Sequence, residues 1–92
     1  MNIWENAVLK SIEHRGGKAS NQQIYLDMES GKFIVMQSDH LRITKHGGRP
    51  AYQHQVRSHL ANLVETGDLV RPSRGSYKLT AKGQERLNGE AV

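Results

Sequence analysis

The chain of 92 residues contains no cysteine. That absence removes disulfides, thiolate nucleophiles and the cysteine-bearing structural zinc sites, and it fits a reducing compartment. One Trp, one Phe and three Tyr are too few to supply the exposed stacking rings on which readers of single-stranded nucleic acid depend. No apolar run approaches the roughly 18 residues of a membrane-spanning helix, and the N-terminus lacks a basic segment followed by an apolar core and a small-residue cleavage site. A soluble, cytoplasmic protein with no membrane partner is therefore expected.

Chemistry-bearing motifs are equally scarce. There is no Gly-x-Ser-x-Gly elbow and no Glu-x-Lys or Asp-x-Lys pair of a restriction-nuclease core. Gly47-Gly48 is not followed by the Gly-Lys-Ser/Thr that closes a phosphate-binding loop. Of His40, His46, His54 and His59, the two on the helix predicted below stand five apart, a spacing that sends them to different faces instead of to one metal ion. No catalytic residue, metal or cofactor is expected, and the chain does not read as an enzyme. Its length allows one domain, with about 60 to 65% of the unfolded surface buried, so every apolar face must be used.

What the sequence does have is an uneven charge. The net +4 of the whole chain comes entirely from residues 40–78, where Arg42, Lys45, Arg49, Arg57, Arg71, Arg74 and Lys78 face only Glu65 and Asp68. The flanking segments sum to slightly negative and to zero. Such a footprint suits a polyanionic partner, whose counterions are released as each phosphate is neutralised.

Trp4, Ala7, Val8, Ser11 and Ile12 recur at helical spacing and predict a first helix over residues 3–14, stopped by Gly16-Gly17. Lys18-Ala19 has room for a one-bridge strand. Ser20 and Gln23 have the spacing of a capping box, opening a second helix from Asn21 to about Glu29 with Ile24, Tyr25 and Met28 inward. Residues 32–50 form a long connection, in which Phe33 to Met36, Leu41 and Ile43 are expected on the core and Lys45 to Arg49 exposed. Pro50 fits the first turn of a third helix, whose Tyr52, Val56, Leu60, Leu63 and Val64 make one stripe.

The opposite face of that helix carries His54, Gln55, Ser58, Ala61, Asn62 and Glu65, with Gln53 and Arg57 at its margins. Amides and guanidinium groups are the side chains that pair with base edges in a major groove, and small Ser58 and Ala61 permit close approach. Gly67 ends the helix, Asp68 to Pro72 and Ser76 to Leu79 read as a hairpin turned at Ser73-Arg74-Gly75-Ser76, and Thr80 caps a last helix from Ala81 to about Leu87. Leu69, Tyr77 and Leu79 are expected inward and Arg71, Arg74 and Lys78 outward, with residues 88–92 frayed and the core spanning about residues 3–87. The expected class is α+β, mostly helical: a three-helix core, a β-hairpin and a short C-terminal helix in a single domain.

This order, with Val56-Arg57, Leu60, Leu63, Gly67-Asp68-Leu69, Ser73-Arg74-Gly75 and Tyr77-x-Leu79-Thr80-x-x-Gly83, resembles winged helix-turn-helix DNA-binding domains. Within them it is similar to those of restriction systems, namely the Mrr-type N-terminal domain and the DNA-reading domains of methyl-directed restriction endonucleases. The resemblance implies a third helix in the major groove of double-stranded DNA, with base readout by Gln53, His54, Gln55, Arg57, Ser58 and Asn62. It implies phosphate contacts from Lys45, Arg49, Arg71, Arg74 and Lys78, and a role in targeting a restriction or transcription-regulatory system. The partners it suggests are a nuclease or regulator domain and a second copy in a homodimer. The alternative is a protein-protein interaction winged helix without nucleic-acid binding, since a fold does not fix a function. That use calls for an apolar patch with aromatic anchors, whereas this outer face carries His, Gln, Arg, Ser and Asn.

Overall fold

A computed structural model describes residues 3–35 and 48–90, apart from the Glu90 side chain. In chain order it contains α1 (Ile3–His14), β1 (Lys18–Ser20), α2 (Asn21–Glu29), α3 (Ala51–Glu65), β2 (Leu69–Val70), β3 (Ser76–Leu79) and α4 (Ala81–Glu90). The result is α+β and mostly helical, with a small antiparallel sheet and a C-terminal helix.

Helix α1 is the one the others collect around. It packs against α2, α3, α4 and β3, so its buried set is wider than a single stripe: Leu9 joins Trp4, Ala7, Val8, Ser11 and Ile12. Ser11 tolerates burial because its hydroxyl donates to Asp27 Oδ2 at 2.6 Å. Arg15, just past α1, donates to both carboxylate oxygens of Asp27 at 2.8 Å. These contacts, the Arg15 bond foremost, with Ser11 assisting, hold the Asp27 carboxyl below its ordinary pKa despite partial burial.

The capping box on α2 forms as its spacing predicts: Ser20 Oγ accepts from Gln23 N–H at 3.2 Å, and Gln23 Oε1 accepts from Ser20 N–H at 2.9 Å. Ile24, Tyr25 and Met28 are buried. Beyond α2, Ile34 is buried and Phe33 packs at the core edge, but Val35 is 81% exposed, so the expected inward run stops after two residues. Met36, Leu41 and Ile43 lie outside the described residues.

Helix α3 buries Tyr52, Val56, Leu60 and Leu63, with Val64 at the margin. Pro50 stands one position ahead of the helix as its N-cap residue, not inside the first turn. At the other end Asp68 N–H reaches Leu63 C=O at 2.9 Å and Gly67 N–H reaches Val64 C=O at 3.2 Å, the paired bonds that satisfy the last carbonyls of a helix.

The sheet order is β1-β3-β2, with β3 central and both pairings antiparallel. Leu69 pairs with Leu79 and Ala19 with Tyr77, which fixes Tyr77 and Leu79 on the inner face and Lys78 on the other. The β2 segment is shorter than the run Asp68 to Pro72 suggests, because Asp68 is committed to the junction between α3 and α4. There Thr80 N–H and Oγ1 donate to Asp68 C=O at 3.1 and 2.9 Å, and Thr80 Oγ1 accepts from Gly83 N–H at 3.1 Å, capping α4. Helix α4 runs on to Glu90 instead of ending near Leu87.

Gly83 weakens α4 by propensity, yet it is buried and its position requires it. A Cβ there would collide with the Asp68 carbonyl oxygen and come within 2.8 Å of Leu79 Cδ1. In an open helix Gly→Ala stabilises by about 0.8 to 1 kcal/mol. Here overpacking against backbone outweighs that gain, and Gly83→Ala is expected to destabilise by about 1 to 3 kcal/mol in denaturant titration.

The lowered pKa of Asp27 carries a pH signature. Its stabilising contribution is complete above the ordinary carboxylate range and disappears as pH falls through the lowered folded value. Asp27→Asn should therefore lower Tm at neutral pH and flatten the acid limb of a Tm–pH curve. An unchanged acid limb would assign acid sensitivity to other carboxylates.

Candidate functional site

The flank of α3 and the β2–β3 hairpin enclose a cleft of about 390 Å³. Helix α3 contributes Arg57, Leu60 and Ala61, which the i, i+3, i+4 spacing puts on one side of the helix. Arg49 enters from the segment just before α3, while Arg71, Arg74, Gly75 and Tyr77 come from the hairpin and Asn21 from the start of α2.

The hairpin is held in place by local chemistry. Ser76 N–H bonds to Ser73 C=O at 3.1 Å, closing a turn in which Arg74 and Gly75 are the central residues. Gly75 adopts φ +75°, a conformation that glycine takes without steric cost. Its carbonyl accepts from Asn21 N–H at 3.0 Å, tying the hairpin tip to α2. Asn21 Oδ1 is itself engaged by Gln22 N–H at 3.0 Å, which leaves the amide NH2 as its donor group toward the cleft. Arg71 lies over the Tyr77 ring, its guanidinium carbon 5.6 Å from the centroid, a cation–π contact that restrains the long side chain.

The arginines among the described residues fall into two groups. Arg15 is bonded to Asp27, and Arg86 to Asp68 with Glu5 nearby. Arg49, Arg57, Arg71 and Arg74 have no carboxylate partner among the described residues, and no acid lines the cleft. Four uncompensated charges around one concavity repel one another, and an anion would relieve that repulsion. The Tyr25 hydroxyl is buried close to these lining residues, beside the Asn21 side chain. Burial pushes this phenol up, opposed by Arg57, the Asn21 amide and Arg49, all lining residues. Burial likewise raises Tyr52, which packs edge-on to Tyr25 at 6.2 Å.

The fold gathers some of the residues singled out from sequence and separates others. Arg49, Arg71 and Arg74 meet in the cleft. Lys78 points from the opposite sheet face, directly across from Lys18, so these two cations form a separate basic spot. Lys45 lies outside the described residues. Among the expected base readers, Arg57 belongs to the cleft, while His54, Ser58 and Asn62 are exposed. Gln53 is half-buried, with its amide near the Tyr52 hydroxyl at 3.5 Å.

Gln55 is exposed but sits one turn ahead of His59, and His59 is bonded to Glu5 of α1 at 3.1 Å. At 3.6 residues per turn Gln55 and Arg57 diverge by about 160°, so they cannot address one edge together. Asn21, Tyr77 and Lys18 were not singled out as site residues. Their signal lies in tertiary pairing, because only the β1–β3 register and the Asn21–Gly75 bond bring them alongside the basic residues.

Among the described residues no helix is long and apolar enough to cross a membrane. Comparison of the chain with protein-family models, with curated proteins and with solved structures finds no match.

Proposed function

We propose that this protein is a winged helix-turn-helix module that binds double-stranded DNA. In this reading α3 enters the major groove, the β2–β3 hairpin is the wing on the flanking backbone, and the module targets a restriction or transcription-regulatory system. The observation that carries the proposal is the cleft beside α3, with four arginines that have no acidic partner among the described residues. Next to it α3 presents His54, Ser58 and Asn62 to solvent. The first set attracts phosphate without regard to sequence, and the second has the donors and acceptors that distinguish base edges.

One role changes in this reading. Arg57 faces the hairpin arginines, so it acts with Arg74 on the sugar-phosphate backbone, and base readout centres on His54 and Ser58 with Asn62 beside them. Lys18 and Lys78, paired on the other sheet face, form a second basic spot apart from the cleft. Among the described residues the exposed large apolar side chains, Ile3, Leu26, Val35 and Val70, lie neither on α3 nor in the cleft lining, which weighs against the protein-docking use of the same face.

The test is titration of labelled duplexes, unmethylated and methylated, against single-stranded DNA and RNA at several salt concentrations. Duplex preference is expected, with log K falling linearly against log salt. Absence of duplex binding, or duplex binding indifferent to salt, would sink the proposal. Arg57→Ala and Arg74→Ala should each weaken all duplexes alike and reduce the salt slope by about 1. His54→Ala and Ser58→Ala should instead change the ranking among sequences. If Arg57→Ala alters ranking while leaving the slope intact, the residue reads bases and the reassignment is wrong.

A further inference from the structure

The cleft has more charge and more enclosure than a strand running past it can use. Arg49, Arg57, Arg71 and Arg74 reach it from three segments of the chain. A backbone phosphodiester carries one negative charge, whereas a phosphomonoester carries about 1.5 to 2 at pH 7 and offers three terminal oxygens. The volume of about 390 Å³ falls within the roughly 300 to 1,000 Å³ of sites that take small ligands.

The hairpin tip and the start of α2 meet at one border of the cleft. Asn21 N–H bonds to Gly75 C=O at 3.0 Å, and β1 pairs with β3 immediately alongside, with Ser20 opposite Ser76. A group that terminates can enter, with the Asn21 amide and the arginines as donors, and the apolar walls at Leu60, Ala61 and the Tyr77 ring suit the sugar or base attached to it.

We infer that the cleft between α3 and the hairpin is a binding site for a nucleotide-borne phosphomonoester, the 5′-phosphate of a DNA end or of a free mononucleotide. The inference deepens the DNA-binding reading, because the same arginines then serve as an end-recognition site and not only as a backbone contact. Guanidinium groups suit this ligand since their paired N–H bonds match phosphate oxygens.

The experiment measures fluorescence anisotropy on three duplexes of one sequence: with 5′-phosphate, with 5′-hydroxyl, and closed by hairpin loops at both ends. AMP, adenosine and inorganic phosphate serve as competitors. A preference of about tenfold or more for the 5′-phosphorylated end is expected, the size of one charge-assisted contact. Competition by AMP but not by adenosine is expected with it, and it identifies the free mononucleotide as a sufficient source of the phosphate. Arg57→Gln and Arg74→Gln should each remove the preference while circular dichroism and Tm stay near the parent values.

Equal affinity for the three duplexes with no AMP competition overturns the inference and leaves the duplex-binding reading standing. AMP competition against a fluorescent mononucleotide in a protein that binds none of the duplexes does the reverse. Competition by inorganic phosphate as strong as by AMP limits the site to the bare anion and overturns the nucleotide part.

Discussion

The Asp68 carboxylate, 0% exposed, is the interaction on which the rest of the structure depends. One oxygen receives the Thr66 hydroxyl at 2.7 Å and the Arg86 guanidinium, and its backbone carbonyl receives both donors of Thr80. The end of α3, the start of β2 and the first turn of α4 are thus fixed at one residue. Arg86 continues toward Glu5 at 3.9 Å, and Glu5 continues to His59 at 3.1 Å, so the network reaches α1 and returns to the middle of α3. Arg86 is 34% exposed and so partly screened, but its removal would leave the fully buried Asp68 carboxylate without its cation, the costly outcome for a charge taken out of water. Surface ion pairs contribute far less, which ranks the Asp68–Arg86 pair above any exposed one.

That junction also governs what the hairpin can do. Leu69 follows Asp68 directly and pairs with Leu79, the residue before Thr80. Both hairpin strands therefore start or finish at the same pinned point, while the far end is pinned by the Asn21–Gly75 bond. A two-stranded hairpin is marginal by itself. Here the third strand, β1, and the two anchors remove its freedom, and the separation between Arg74 and Arg57 becomes a property of the fold instead of a thermal average.

Much of the fold was legible because it rests on local chemistry. The Tyr52, Val56, Leu60 and Leu63 stripe, the Ser20–Gln23 box, the Gly67 stop and the Thr80 cap each depend on residues within a few positions, and each forms as the spacing predicts. The misses share a different cause. Leu9 is buried because α1 is covered from several sides, Gly83 is required by a carbonyl fifteen positions earlier in the chain, and Val35 turns outward although its neighbour Ile34 does not. The candidate site divides in the same way. Sequence could say that Arg49, Arg57, Arg71 and Arg74 are basic and near α3 or the hairpin, but their convergence depends on which flank of α3 the hairpin covers. Periodicity alone leaves that flank open: it puts both Gln53 and Arg57 at the margins of the polar face, and the hairpin takes only Arg57.

The two groups of arginines follow from this arrangement. Arg15 and Arg86 are held by Asp27 and Asp68, whose carboxylates satisfy them within the protein, and they serve the fold. The cleft arginines have no such acid among the described residues, and Arg71 is restrained instead by the face of Tyr77. A ring orients a guanidinium without neutralising it, whereas a carboxylate does both. The cleft therefore combines restrained geometry with unspent charge, the pairing that lowers the ordering cost of capturing an anion. Charge alone has no shape; the hairpin, tied to α2 by the Asn21–Gly75 bond and fixed at Asp68, sets where this charge stands.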